Sequence, residues 1–144
     1  MKVKWRKKVE KHRQQLVNCE RYMFNHIDYV MVMVSDMSRS VRFYRDKLGL
    51  RLRFESPDWT EFETGTTVLA LHGGGKAAVI SHEPKAGTAS IGFYVDNLTD
   101  KFNELKAQGV TFSMPPTDRL EEKIKLAVCL DPDGLPISIA ERKQ

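Results

Sequence analysis

Two stretches of the chain follow one pattern. Advancing by 61 residues carries Val34 onto Val95, Asp36 onto Asn97, Met37 onto Leu98, Val41 onto Phe102 and Tyr44 onto Leu105. A strand end, a helix-capping side chain and an apolar helical stripe therefore coincide in register, the mark of two copies of one unit. The same shift carries Tyr29 onto Ser90. If each unit lays a helix on one sheet face, the opposite faces are left to form a shared cup.

The parts of the unit follow from local pattern. Residues 27–34 are nearly all apolar or aromatic, with Val30, Val32 and Val34 on one side and Tyr29, Met31 and Met33 on the other. Side chains alternate along a strand, so this reads as a strand buried on both faces. Its valine side suits packing under a helix, and its larger Tyr and Met side suits a cavity lining. Asp36 or Ser38 caps the next helix, whose stripe is Met37, Val41, Tyr44 and Leu48 and whose stop is Gly49. Strands are expected at 51–55, 59–64 and 67–72, with Gly65 turning the last pair. After a long connection at 73–87 the order recurs: strand 88–95, helix 97–108 stopped by Gly109, and strands 110–114, 123–130 and 136–141. Pro115 and Pro116 are expected to end a strand, and the DPDG segment 131–134 to turn a hairpin.

The 144 residues, 41% hydrophobic, suffice for one core and do not suggest two independent ones. Charge is unevenly placed. Residues 1–22 carry eight Lys or Arg against Glu10 and Glu20, a surplus of +6, which leaves 15 basic and 17 acidic residues from Met23 onward. Within this extension Trp5, Val9, His12, Leu16, Cys19 and Met23 step by three and four, giving a basic amphipathic helix over 2–22. Its stripe could lie on the body or on a second subunit, or its charge could meet nucleic acid or an anionic surface. Met23 could equally be the biological start. Nucleic acid is not the expected partner, since the basicity is confined to this helix. Cys19 and Cys129 form neither a disulfide framework nor a metal motif, so a reducing cytoplasm is expected, and no run reaches the length of a membrane span.

Four segments, IDYVMVMVSDMSRSVRFYRDKLGL, TVLALHGG, IGFYVDNL and DPDGLPISI, resemble in order and spacing the vicinal oxygen chelate superfamily. This is the superfamily of glyoxalase I, extradiol dioxygenases, methylmalonyl-CoA epimerase and the fosfomycin and bleomycin resistance proteins. The resemblance covers about residues 26–141. It implies an α+β fold of two tandem βαβββ modules, about 26–72 and 88–141, within a domain 23–144, often as a homodimer.

Metal-dependent members of that superfamily hold one divalent ion with residues on the first and fourth strands of each module. The resemblance places these positions at Tyr29, Ala70, Ser90 and Ser138, where His or Gln, Glu or His, His or Gln, and Glu are expected. Ala70 has no lone pair to give, and serine hydroxyls are poor ligands beside imidazole or carboxylate. With a reference pKa of about 10, deprotonating Tyr29 at neutral pH costs about 4 kcal/mol. No metal and no other cofactor is expected. The implied cup is instead lined by Tyr29, Met31, Ala70, His72, Ser90, Tyr94 and Ser138, with Trp59 at its rim, and suits a small organic molecule held by packing and a few hydrogen bonds.

Two function classes stay open, a binding protein of the bleomycin-resistance type and a glyoxalase-like lyase, epimerase or dioxygenase. The second would use displaced metal ligands or metal-free chemistry at His72 and Tyr29, the candidate catalytic residues. Other features carry no chemistry. HGGGK at 72–76 lacks both the nucleophile elbow of an esterase and the spacing of a P-loop, and reads as a flexible turn. Arg51 and Arg53 read as charges defending a sheet edge, and Cys129 as a buried, inert thiol.

Overall fold

A computed structural model describes residues 26–76 and 89–143. The expected basic helix over 2–22 and most of the long connection lie outside these described residues.

The first module runs β1 (Tyr29–Met33), α1 (Met37–Arg42) with a π-helical last turn (Phe43–Lys47), β2 (Arg51–Glu55), β3 (Trp59–Thr64) and β4 (Thr67–His72). The second runs β5 (Ile91–Tyr94), α2 (Leu98–Ala107), β6 (Phe112–Arg119), β7 (Ile124–Leu130) and β8 (Pro136–Arg142). Each forms a four-stranded sheet, in the orders β1-β4-β3-β2 and β5-β8-β7-β6. In both, the first strand lies parallel to the fourth and the other pairs are antiparallel. This is the βαβββ unit, twice.

The repeat is visible at the helix starts. Asp36 accepts from the Arg39 amide at 2.9 Å, and Asn97 accepts from the Asp100 amide at 3.0 Å, each satisfying an amide that the first helical turn leaves open. Gly49 and Gly109 follow the two helices with φ of 71° and 80°, the left-handed conformation that ends a helix most easily when no Cβ is present.

The first helix keeps its expected stripe of Met37, Val41, Tyr44 and Leu48 in or against the core and departs from it only by adding Phe43. The Leu48 amide reaches back five residues to the Phe43 carbonyl at 3.0 Å, and this wider turn brings Phe43 into the core beside Tyr44. The two rings meet edge to face at 5.1 Å. A second departure is β6, which continues through Pro115 and Pro116 to Arg119 instead of ending before them. It is the edge strand of its sheet, and its register with β7 shifts between Met114 and Thr117. Prolines that lack a donor are tolerated at such an edge.

Buried side chains of both modules, among them Val41, Tyr44 and Phe62 from the first and Leu98, Cys129 and Ile137 from the second, form one cluster. The modules are also joined through polar contacts at the 131–135 turn. The Tyr44 hydroxyl donates to Asp131 Oδ2 at 2.9 Å, while Asp131 Oδ1 accepts from the amides of Asp133 and Leu135 at 2.9 and 2.8 Å. Asp133 in turn accepts from the Ser35 hydroxyl, from the Ser35 amide at 3.1 Å and from Arg39 at 3.0 Å. The DPDG turn is thus a hairpin corner, as expected, and also a joint between the two units. No helix among the described residues is long and apolar enough to cross a membrane.

Candidate functional site

Each sheet has one face under the core and one open face, and strand register assigns the residues. In the first sheet Phe62, Leu69 and Leu71 point into the core. The alternate positions form rows across the open face. Met31, Ala70, Glu61 and Phe54 make one row, and Met33, His72 and Trp59 the next.

The Tyr and Met side of β1 is not buried, contrary to the reading of its apolar run. Tyr29, Met31 and Met33 are 58%, 45% and 48% exposed. An uninterrupted apolar strand is expected to be covered on both sides. Here β1 is a sheet edge, and its second face stays about half exposed.

Over Ala70 the same face is closed. Tyr29 pairs with Val68 on one side of Ala70, and Trp59 pairs with His72 on the other. Their rings nevertheless meet edge to face with centroids 6.1 Å apart, and the Ala70 methyl between them has no exposure. Trp59 also meets the His72 ring edge to face at 5.9 Å. Trp59 is anchored from below, because its Nε1 donates to Glu61 Oε1 at 2.9 Å and Arg53 stands 3.6 Å from the same carboxylate. Glu61 was missed by the sequence reading, although it follows Trp59 by two positions and so shares its strand face.

His72 points its Nδ1 at the Gly73 carbonyl, 2.6 Å away. A carbonyl only accepts, so Nδ1 carries the hydrogen and, in the neutral ring, Nε2 holds the lone pair. The turn that follows is tied to its neighbours through its backbone. Gly73 donates to Asp58 and Gly75 to Val34, both at 3.0 Å, and Gly74 supplies a φ of 85°.

In the second sheet Ile137 and Ile139 point into the core, which leaves Gly92 beside Ser138 and Tyr94 beside Ala140 on the open face. Ser138, Ala140 and Arg142 continue along β8, flanked on β7 by Val128, Leu126 and Ile124. Tyr94 is 62% exposed, and the Arg142 guanidinium lies 4.4 Å from its ring centroid. Ser90 is exposed just before β5.

The sequence-predicted residues therefore fall into two groups. Tyr29, Met31, Trp59, Ala70 and His72 share one open face, whereas Tyr94 and Ser138 share the other, with Ser90 at its margin. Arg51 and Arg53 lie on the edge strand β2 and face Glu63 and Glu61 at 3.4 and 3.6 Å, in keeping with their expected edge role. Cys129 is fully buried, and that burial pushes its thiol up to about 11. His26 lies before β1, its Nε2 2.8 Å from Asp28.

Two four-stranded βαβββ modules in tandem define the class of fold to which the chain belongs. The Glyoxalase/Bleomycin resistance protein/Dioxygenase superfamily model matches residues 26–139, and the chain belongs to that superfamily. The uncharacterized protein YraH of Bacillus subtilis (strain 168) is 29% identical over 119 residues, covering 76% of this chain and 93% of YraH. Among solved structures, a glyoxalase/bleomycin resistance protein/dioxygenase from Alicyclobacillus acidocaldarius superimposes with a TM-score of 0.66 at 17% identity, covering 83% of this chain and 93% of that one. Another from Nocardioides gives 0.66 at 20% identity, covering 93% and 94%. At such identities the structures speak for the fold alone.

Proposed function

We propose that this protein binds a small organic molecule, with at least one flat apolar part, between the open faces of its two modules, without a metal ion. The observation that carries the reading is the closure of Tyr29 and Trp59 over Ala70. Where metal-dependent relatives are expected to place a carboxylate or imidazole, this chain has a methyl group roofed by two rings. Tyr29, Ser90 and Ser138 offer only hydroxyls. Among the described residues no group of three or more His, Cys, Asp or Glu is placed to hold a metal ion elsewhere. The donor set does not fit a divalent ion, so no step is routed through one. Half-exposed Tyr29, Met31 and Met33 beside Trp59 form the kind of apolar, aromatic surface that recognises flat molecules by stacking. Homodimerisation and a reducing cytoplasmic setting belong to the same proposal.

A second reading is favoured by one observation. With Nδ1 committed to Gly73, His72 Nε2 is free to accept a proton from a bound substrate. On this reading the chain is a metal-free lyase or epimerase in which Tyr29 orients the substrate.

One experiment separates the readings from a metal enzyme and from each other. The protein is incubated with zinc, nickel, manganese and iron, desalted and analysed for metal, then screened by thermal shift against flat aromatic compounds. The expected result is no stoichiometric metal, with stabilising compounds whose effect falls in Tyr29→Ala. One ion retained per chain, or no stabilising compound at all, would overturn the binding reading. Turnover of a stabilising compound that is lost in His72→Ala would establish the second.

A further inference from the structure

The open face of the second sheet differs from that of the first in a way the repeat makes plain. Where β1 presents Tyr29, Met31 and Met33, the 61-residue shift puts Ser90, Gly92 and Tyr94. Bulk is replaced by a low floor.

Gly92 is not required by the backbone. It is absent from the residues of positive φ, and a Cβ added there would come no closer than 3.8 Å to the Ser138 Cβ, an ordinary contact. A glycine inside a strand weakens it and otherwise marks a place where something approaches closely. Nothing among the described residues does so at Gly92. The floor formed by Gly92 and Ser138 is therefore open.

Beside that floor stands a cation held in place. The Arg142 guanidinium rests 4.4 Å from the Tyr94 ring centroid. Among the described residues Arg39, Arg45, Arg51 and Arg53 each pair with a carboxylate, as Arg39 does with Asp133 and Arg53 with Glu61, whereas Arg42 and Arg119, like Arg142, do not. No ion pair of Arg142 occurs among the described residues. Its neighbour Glu141 points the other way and accepts from the Leu98 amide at 2.7 Å. Stacking fixes the plane of a guanidinium and leaves its edge, a fork of N–H donors matched to a carboxylate, free to bind.

We infer that the open floor at Gly92 and Ser138, with Arg142 stacked on Tyr94 at its end, is a subsite for a flat aromatic carboxylate. The ring lies on the floor, the carboxylate meets the Arg142 fork, and the Ser138 hydroxyl is available to a substituent. Tyr94 stands two residues beyond Gly92, about 7 Å at roughly 3.3 Å per residue, so a ring system of one or two fused rings spans floor to cation. This deepens the proposed function and rests on it, because it names the chemical class of ligand for the same open faces.

The test compares 2-naphthoate with its neutral isostere 2-naphthamide by calorimetric titration of the full chain. Naphthoate is expected to bind about ten-fold more tightly or better, the usual gain from a charge-assisted pair. In Arg142→Met the two should bind alike, with the naphthamide affinity unchanged. Arg142→Lys should keep part of the preference. Gly92→Met, which restores the side chain of the first module, should weaken both by about ten-fold or more while the circular dichroism and melting curve stay those of a folded protein. Equal binding of the two probes, or a preference that survives Arg142→Met, overturns the carboxylate subsite and leaves the aromatic-binding proposal standing. Binding of neither probe overturns the subsite, and the aromatic-binding proposal is then decided by the compound screen alone.

Discussion

The Tyr44 hydroxyl donates to Asp131 across 87 residues of sequence, from the first module to the hairpin turn of the second, with both side chains buried. Asp131 is satisfied by this hydroxyl and by two amides of its own turn. Removing the hydroxyl strips one donor from a buried carboxylate without altering the ring packing against Phe43 and Phe62. Tyr44→Phe should therefore lower unfolding free energy by about 1.5–3 kcal/mol. Asp131→Ala should lose more, since the turn amides go unpaired as well. Urea unfolding of the two single variants and the double variant should yield a coupling energy clearly above zero, and purely additive losses would mean that the contact does not join the modules.

The same contact has a pH signature. Burial, followed by the charge of Asp131, raises the Tyr44 hydroxyl well above its ordinary value of 10.0. A group that holds its proton more tightly when folded contributes stability that is complete below the unfolded value and declines as pH rises beyond it. Wild-type stability should thus show no Tyr44 contribution to its slope up to about pH 10 and an added loss of about 1.4 kcal/mol per pH unit above it. In Tyr44→Phe that added slope disappears, so the gap between the two proteins narrows from about pH 10 upward. Parallel melting curves from pH 8 to 11 decide the matter.

Trp59 owes its orientation to Glu61, and this can be read optically. Its Nε1 hydrogen bond and its edge contacts with Tyr29 and His72 hold the indole over Ala70. Only Trp5 and Trp59 occur in the chain, so Trp5→Phe isolates the signal. In that background Glu61→Ala should shift the emission of Trp59 to longer wavelength as the ring swings toward water. The expected stability loss is about 0.5–1.5 kcal/mol, that of one hydrogen bond. Unchanged emission would show that the ring contacts alone fix the indole.

What was legible in the sequence follows from what strand and helix periodicity encode. The strands at 51–55, 59–64 and 67–72 and the caps at Asp36 and Asn97 come from alternation and side-chain chemistry within a few residues, and these agree with the structure. The open Tyr29 face did not come out correctly, because an apolar run says nothing about whether a second layer covers it. The run of β6 through Pro115 and Pro116 was missed because the tolerance for proline depends on being an edge strand, a property of the whole sheet. Asp131 read as a turn former, and its role between modules required knowing that Tyr44 lies opposite. Glu61 and Arg142 escaped notice since their meaning lies in what they touch, the indole of Trp59 and the ring of Tyr94.

Cys129 should behave as core rather than as a reagent. It is fully buried, and burial pushes its thiol up to about 11, so at pH 8 only on the order of one thiol in a thousand is ionised. In a Cys19→Ser background, a chromogenic disulfide reagent should label the folded protein only at the rate of unfolding, and label it at once in strong denaturant. Fast labelling of the folded protein would show that the second module opens readily.

A glycine in a turn and one in a strand should respond oppositely to the same added methyl. A Cβ at Gly75 would sit 3.1 Å from the Val34 carbonyl oxygen and 3.2 Å from the Val34 nitrogen and carbonyl carbon. These are backbone atoms at the end of β1, already bonded to Gly75 through its amide, and they cannot turn aside as a side-chain tip does. Gly75→Ala should cost about 1–3 kcal/mol, as overpacking does elsewhere. Gly92→Ala meets only the Ser138 Cβ at 3.8 Å and reduces the freedom of the unfolded chain, so it should be neutral or stabilising by up to about 1 kcal/mol. Denaturant midpoints of the two variants measured side by side provide the check. A destabilised Gly92→Ala would mean that the floor of the second sheet is covered in solution, and that its glycine is there for packing rather than for a ligand.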